Sequence, residues 1–203
     1  MNDFTELPLF PLDLVLLPSR RIPLHIFEER YKEMINHCLE NECEFGIVWG
    51  TDDNFQDTGC AALVTDVITR FPDGRLNIMI RGTRRFKVKD RVDIHSYISG
   101  QVEPFEDIQE ATDIKLGEEV RENYIEALQL AQGWLGKQNE NISLGELSFK
   151  IAANLNLPSA VQQNLLESNS VNERLQVVQK ILDESLPKIR EVKKRTGGNG
   201  HLA

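Results

Sequence analysis

The stretch from residue 7 to residue 40 constrains the fold most, because prolines divide its apolar residues into short runs. These prolines are Pro8, Pro11, Pro18 and Pro23. Proline supplies no amide proton to a strand ladder, so the runs are predicted to be strand segments at a sheet edge or a bend. After them, apolar residues recur at helical spacing, which predicts an amphipathic helix from Phe27 to Glu40. The stripe consists of Phe27, Tyr31, Met34, Ile35 and Cys38.

Short segments typical of β-strands fill the chain as far as residue 105. They cover residues 44–50, 59–71, 76–80, 86–88 and 97–105. Asp73 and Gly74 stand between two of them, where a hairpin turn requires such residues. Because one early helix accompanies these strands and strand and helix do not alternate, we expect an α+β fold. Its first lobe, residues 1–108, is predicted to be a mainly antiparallel, strongly bent sheet or a β-barrel-like structure.

The composition changes after Pro104. Between Glu103 and Glu122 the chain has eight acidic and two basic residues, and helical spacing replaces the strand pattern. Three pairs predict capping boxes at helix starts: Ser143 with Glu146, Ser159 with Gln162, and Ser170 with Glu173. We therefore expect a C-terminal helical bundle lobe over residues 112–195, with a kink at Pro187. The glycine-rich residues 196–203 are expected to form a disordered tail.

Charge and cysteine content limit the partners of the chain. The net charge is −9 at pH 7, which opposes binding to nucleic acid and to anionic membranes. The sequence shows no membrane-spanning apolar run and no secretory leader, so a cytoplasmic protein is expected. Cys38, Cys43 and Cys60 are odd in number and lack the spacing of paired zinc thiolates. This pattern favours reduced thiols and no bound metal.

The opening stretch resembles the amino-terminal substrate-recognition domain of Lon proteases. The resemblance is strongest in Pro23-Leu24-His25-Ile26-Phe27-Glu28, which Arg30-Tyr31 follows. It includes residues 8–12 and 15–18, continues more weakly through residues 81–86 and 157–175, and covers residues 7–185. Ser19 stands where the family usually has glycine, so that turn is expected to differ in shape. The resemblance implies the same barrel-like, PUA-like first lobe and closing helices.

The resemblance also implies a role, which is the recognition of unfolded or tagged protein segments. Such a module serves either as an adaptor to a protease or chaperone or as a scaffold for one dedicated partner. Full-length Lon proteases carry an ATPase module and a serine-lysine proteolytic domain, and this sequence contains nothing that corresponds to either. We therefore expect a non-enzymatic, polypeptide-binding module without a cofactor.

Large aromatic residues at strand ends or in loops are the candidate anchors for a bound polypeptide. They are Trp49, Phe55 and Phe71. Bent sheets with proline-interrupted edges leave backbone donors and acceptors open, and a junction between lobes offers an apolar groove. These features make an extended, partly hydrophobic segment the expected ligand.

Two other functions stay open from the residues alone. The runner-up is an RNA-binding module that uses the strand face from Arg81 to Arg91, where Phe86 could stack on a base. The basic residues of this face are Arg81, Arg84, Arg85, Lys87, Lys89 and Arg91. A small hydrolase would use His25 as a base, with Ser19 nearby and Glu28 as an orienting group, although no nucleophile-elbow motif surrounds the serine.

Overall fold

The computed structural model describes residues 5–92, 96–132, 142–155 and 157–197, and within these ranges it is an α+β structure, as predicted. Its strands are β1 (Thr5–Leu12), β2 (Arg21–Ile26), β3 (Phe45–Thr51), β4 (Asn54–Phe55), β5 (Thr58–Arg70), β6 (Leu76–Val92) and β7 (Ser99–Pro104). Its helices are α1 (Glu29–Glu40), α2 (Ile114–Gln132), α3 (Leu144–Asn154), α4 (Ser159–Glu167) and α5 (Val171–Gly197).

The strands form one mainly antiparallel sheet. Neighbouring strands follow the order β1, β7, β6, β5, β3, and β1 also pairs with β3 in parallel, so the pairings return to their starting strand. The short strand β4 extends β3, and β2 pairs with the first part of β6. The predicted mainly antiparallel character of the sheet is therefore confirmed.

Strand β6 is continuous where the sequence predicts two separate segments. Gly82 lies between the two predicted segments, and the residues before β2 pack directly on it. A Cβ atom there would lie 2.4 Å from the carbonyl oxygen of Leu17, and Ser19 N donates to Gly82 O over 2.9 Å. Ser19 itself has φ of 65°, the left-handed conformation that glycine adopts most easily.

Helix α1 begins two residues later than the sequence predicts. Glu28 is its N-cap in an extended conformation, so Phe27 precedes the helix and is 59% exposed. The other members of the predicted stripe are buried: Tyr31, Met34, Ile35 and Cys38. The assignment of Phe27 to the buried stripe is therefore wrong. Phe27 fits the spacing of the apolar residues of α1 by chance, although it lies at the corner before the helix.

The described residues cluster into two compact units. The first contains the described residues of the ranges 1–106 and 156–169, and the second contains those of 107–155 and 170–203. Helix α4 thus groups with the sheet, whereas the sequence-based division places it with the helical lobe. Its contacts give the reason: Gln163 Nε2 donates to Thr58 O over 3.0 Å, and Arg85 Nη1 donates to Leu166 O and Ser168 O over 3.0 and 2.6 Å.

Those two carbonyl acceptors lie at the C-terminal end of α4, where a cation complements the helix dipole. At the other end, the predicted capping box of Ser159 does not form, because Pro158 is the N-cap. The Gln162 side chain instead donates to Leu157 O and accepts from Arg20 Nη1.

The second unit contains α2, α3 and α5. The predicted capping box of Ser143 and Glu146 is present at the start of α3. The guanidinium of Arg174 in α5 is fully buried, lies 4.4 Å from the ring of Phe149, and makes a bidentate ion pair with Asp107 over 2.6 and 2.7 Å. Helix α5 is assigned as one helix through Pro187 to Gly197, so the predicted tail begins as helix, and residues 198–203 lie outside the described residues.

Candidate functional site

An exposed face on β2, β5 and β6 gathers rings and apolar side chains. Along β6 the side chains of Leu76, Ile78 and Ile80 are buried, so the residues between them point outward. The register places His25 of β2 opposite Asn77, and Pro23 opposite Met79. We call this surface the outer face and define it by Pro23, His25, Phe27, Phe71, Asn77 and Met79.

His25 is the centre of the outer face. Its ring stacks on Phe27 with centroids 5.9 Å apart and meets Phe71 edge-on at 6.1 Å. The Nδ1 atom of His25 lies 2.6 Å from Asn77 Oδ1, so with that oxygen as acceptor Nδ1 carries the proton. Because Phe27 is 59% exposed, most of its ring surface is available to a ligand.

The hairpin that joins β5 to β6 fixes Phe71. Phe71 N donates to Arg75 O over 2.9 Å, and Gly74, with φ of 83°, donates back to Phe71 O over 3.0 Å. The Arg75 guanidinium lies 5.0 Å from the Phe71 centroid and pairs with Asp73 over 2.7 Å. Hydrogen bonds from the Arg75 amide and side chain lower the pKa of Asp73 from its ordinary value. The ring of Phe71 is therefore held in place before any ligand arrives.

Helix α1 supports the hairpin through its own polar side chains. Lys32 Nζ donates to Asp73 O over 3.1 Å, and Arg70 Nη1 donates to Asn36 Oδ1 over 3.3 Å. These bonds join the turn and the end of β5 to the helix. Helix α1 therefore supports the β5–β6 hairpin, which carries Phe71 of the outer face.

Two strand edges run beside the outer face. Among the described strands, β2 pairs with β6 alone. Strand β5 pairs with β3 only as far as Ala62, so from Leu63 to Arg70 β6 is its one neighbour among the strands that the structure describes. Val67 and Ile68 on this part of β5 are 37% and 56% exposed, next to a register shift. An extended chain could therefore add to the sheet at either edge.

The structure does not bring the three predicted anchors together. Phe71 belongs to the outer face, whereas Trp49 and Phe55 lie in the hairpin of β3 and β4. Trp49 Nε1 donates to Asp13 Oδ1 over 3.2 Å, and Phe55 packs against the buried cluster that contains Phe86. Sequence reasoning missed Phe27 as a surface residue, and the alternation of exposed Arg21, Pro23 and His25 was the signal that could have placed it there.

Four of the six basic residues of β6 have partners within the protein. Arg84 pairs with Glu44 over 2.9 Å and Lys89 with Glu103 over 2.6 Å. Arg91 Nη1 donates to the Asp52 carbonyl, and Arg85 is buried against α4. Phe86, the aromatic of the proposed RNA face, is fully buried. These contacts do not favour a polyanion as the ligand of this strand.

The proposed hydrolase residues have other partners. His25 contacts Asn77 and the two rings, and Glu28 pairs with Arg30 over 3.0 Å. Over the described ranges, no group of three or more histidine, cysteine or acidic side chains could hold a metal ion. No helix in the same ranges is both long and apolar enough to cross a membrane.

Comparison with known proteins gives one consistent result. Residues 6–184 match the sequence profile of the ATP-dependent protease La (LON) substrate-binding domain. The Lon protease of Buchnera aphidicola is 23% identical over 209 residues, and that of Dictyoglomus thermophilum is 26% identical over 196 residues. These alignments cover 96% and 89% of this chain but only 26% and 24% of the two relatives. The chain therefore spans about a quarter of the length of the relatives that it matches.

Solved structures show the same fold. A Lon N-terminal domain protein from Xanthomonas campestris superposes with a TM-score of 0.67 at 27% identity, over 85% of this chain and 95% of that one. The N-terminal domain of a Mycobacterium avium complex Lon protease gives 0.71 at 20% identity, over 88% and 98%. The match to this chain is with the substrate-binding domain, and no protease or ATPase domain is found in it. The chain belongs to the Lon substrate-binding domain family.

Proposed function

We propose that this chain is a polypeptide-binding module without an enzymatic activity of its own, and that the outer face together with the β2 edge holds an extended, partly apolar segment. The observation that carries the proposal is the ring of Phe27. It is 59% exposed and stacked on His25 beside a strand with one strand neighbour among the described residues. Exposed aromatic rings at a supported position are typical of protein-binding surfaces.

The geometry suggests how such a segment is held. Backbone groups of an added strand would pair with the open edge of β2, and every second side chain would then lie over the outer face. Pro23 has no amide proton, so the edge offers fewer hydrogen bonds than its length suggests. This favours weak, reversible binding that depends on apolar side chains more than on one particular sequence.

Membership of the Lon substrate-binding domain family supports a role in holding protein segments. Lon relatives carry a substrate-binding domain within a chain about four times as long. We propose that this chain holds unfolded or partner protein segments in the cytoplasm, as an adaptor to a protease or chaperone or as a scaffold for one partner. We further interpret the closed circuit of strand pairings as the bent, barrel-like, PUA-like lobe that the resemblance implies.

Fluorescence anisotropy with a permanently unfolded protein, such as reduced and alkylated lactalbumin, tests the proposal. We expect Phe27→Ser to weaken binding by about tenfold, as the loss of an aromatic hot spot does. Ile114→Ser is the matched control, because Ile114 is also 59% exposed but lies on α2 in the second unit. Its affinity should equal that of the wild type.

Two outcomes would contradict this assignment. Equal losses in Phe27→Ser and Ile114→Ser would show that no particular surface is used. Binding that weakens steeply as salt rises, and that single-stranded RNA displaces, would favour the nucleic-acid function instead.

A further inference from the structure

Helix α1 ends in a turn in which a backbone hydrogen bond joins two cysteines. Cys43 N donates to Cys38 O over 3.1 Å, and Glu42 between them has φ of 50°. A left-handed residue followed by this six-residue backbone hydrogen bond is the Schellman motif, in which the two bonded positions commonly bring their side chains together. Here both side chains are thiols, and the Cys38 thiol is directed to the Glu44 carbonyl, with 3.9 Å between sulfur and oxygen.

The two thiols differ in their access to solvent. Cys38 is 2% exposed, whereas Cys43 is partly exposed, so a small oxidant reaches the sulfur of Cys43 first. Burial raises the pKa of the Cys38 thiol, which keeps this sulfur protonated and slows its own reaction with an oxidant. Cys60, the third cysteine, is fully buried in β5 and directs its thiol to the Ala61 carbonyl.

We propose that Cys38 and Cys43 are a reversible thiol–disulfide site that locks the C-terminal end of α1, with hydrogen peroxide or another peroxide as the oxidant. A disulfide needs Cα atoms about 4.4–6.8 Å apart, and the turn already holds the two residues side by side. In the unfolded chain the same residues must first find each other, so the folded state favours closure.

The chemistry takes place in two balanced steps. The Cys43 sulfur attacks one oxygen of hydrogen peroxide, the O–O bond breaks, and water leaves while Cys43 becomes a sulfenic acid. The Cys38 sulfur then attacks the Cys43 sulfur, the S–S bond forms and the S–O bond breaks. The departing hydroxide takes the Cys38 proton and leaves as a second water. The two thiols together lose two electrons, and the peroxide is reduced to two waters.

The site lies next to the join between α1 and β3. Glu44 follows Cys43 directly, and its carboxylate accepts from Thr83 Oγ1 over 2.5 Å and pairs with Arg84 over 2.9 Å. Closing the disulfide would therefore fix the turn that leads from the helix into this contact with β6. The site is independent of the polypeptide-binding role proposed above.

The test uses the full chain, oxidised with hydrogen peroxide under native conditions, then denatured and alkylated. Trypsin leaves all three cysteines on one peptide, residues 33–70, because no lysine or arginine lies between them. Cleavage after glutamate separates Cys38 from Cys43 at Glu40 and at Glu42. We expect these two peptides to stay joined, with the loss of two hydrogen masses, to separate again after reduction with dithiothreitol, and Cys60 to be alkylated.

Equilibration in glutathione buffers measures how far the fold favours the bond. The disulfide-to-dithiol ratio should be at least about tenfold higher for the folded chain than for the same chain in urea. Cys60→Ala should keep this ratio, and Cys43→Ser should abolish the linked peptide. Equal ratios in the two states, or oxidation of Cys43 to sulfinic acid without a link to Cys38, would overturn the proposal.

Discussion

The ring of Phe86 determines which residues can stand opposite it on two neighbouring strands. A Cβ atom on Gly46 or on Gly59 would lie 2.5 Å from Phe86 Cζ. Such a distance is too short for two carbon atoms, so both positions require glycine as long as the ring stays in place. The sequence shows the aromatic residue and both glycines, but it does not show that they meet.

Replacing Gly46 with alanine should therefore overpack the core of the first unit. We expect the free energy of unfolding to fall by about 1–3 kcal/mol, measured by urea denaturation. In a Phe86→Leu background the same substitution should be milder, because the edge of the ring is absent. A loss of the same size in both backgrounds would show that Phe86 is not the cause.

At the scale of elements, the start of α5 illustrates how a carboxylate from a loop can stabilise a helix. Glu110 Oε1 accepts from Ser170 Oγ over 2.8 Å and from Asn172 N over 3.1 Å. These hydrogen bonds lower the pKa of Glu110 from its ordinary value of 4.5, and the bond from the Asn172 backbone amide has the largest effect. A lowered pKa means that ionised Glu110 stabilises the fold above pH 4.5, and that this contribution is lost as the pH falls through the folded-state value.

Glu110→Gln should remove that part of the acid sensitivity. We expect the variant to be less stable than the wild type at pH 7, and to lose less stability as the pH falls below 4.5. Glu119→Gln on the exposed side of α2 is a suitable control and should keep the wild-type profile. Parallel profiles for Glu110→Gln and the wild type would rule out the linkage.

Elements with a regular pattern are the ones that the sequence predicts well. The alternation from Leu76 to Ile80 and the capping box of Ser143 both depend on residues close in sequence, and both are present. Errors occur where a contact from elsewhere decides the conformation. The patterns at residues 76–80 and 86–88 predict two strands, because the residues that pack on Gly82 between them, around Leu17, are remote in sequence.

Contacts between residues remote in sequence also explain why the candidate site was predicted only in part. The position of Phe71 at a strand end predicts it as an anchor. Its neighbours are remote in sequence, because His25 lies in β2 and Phe27 lies at the corner between β2 and α1. Only the register of β2 on β6 brings them together. Sequence reasoning therefore finds single surface aromatics more easily than the group that they form.

For the molecule as a whole, the grouping of α4 with the sheet makes a prediction about hydrogen exchange. Helices α3 and α5 flank α4 in sequence, yet α4 belongs to the other unit. We expect amides of α4 to exchange together with those of β5 and β6 under native conditions. Arg85→Met should lower the free energy of α4 opening by about 1.5–3 kcal/mol, because charged hydrogen bonds to two carbonyls are lost.

Arg84→Met provides the comparison, since Arg84 is its neighbour on β6 and forms a partly exposed ion pair with Glu44. It should change α4 exchange by less than about 1 kcal/mol. If α4 instead exchanges in step with α3 and α5 in both variants, its assignment to the first unit is wrong.

The interleaving of the two units in sequence also limits which gene rearrangements can preserve the fold. The first unit is encoded in two separated segments, residues 1–106 and 156–169, with part of the second unit between them. A single recombination event between these segments would leave a gene for the sheet without the helix that covers Thr58 and binds Arg85. Gene rearrangement should therefore pass the two units on together, and a free-standing sheet would require a new helix in the place of α4.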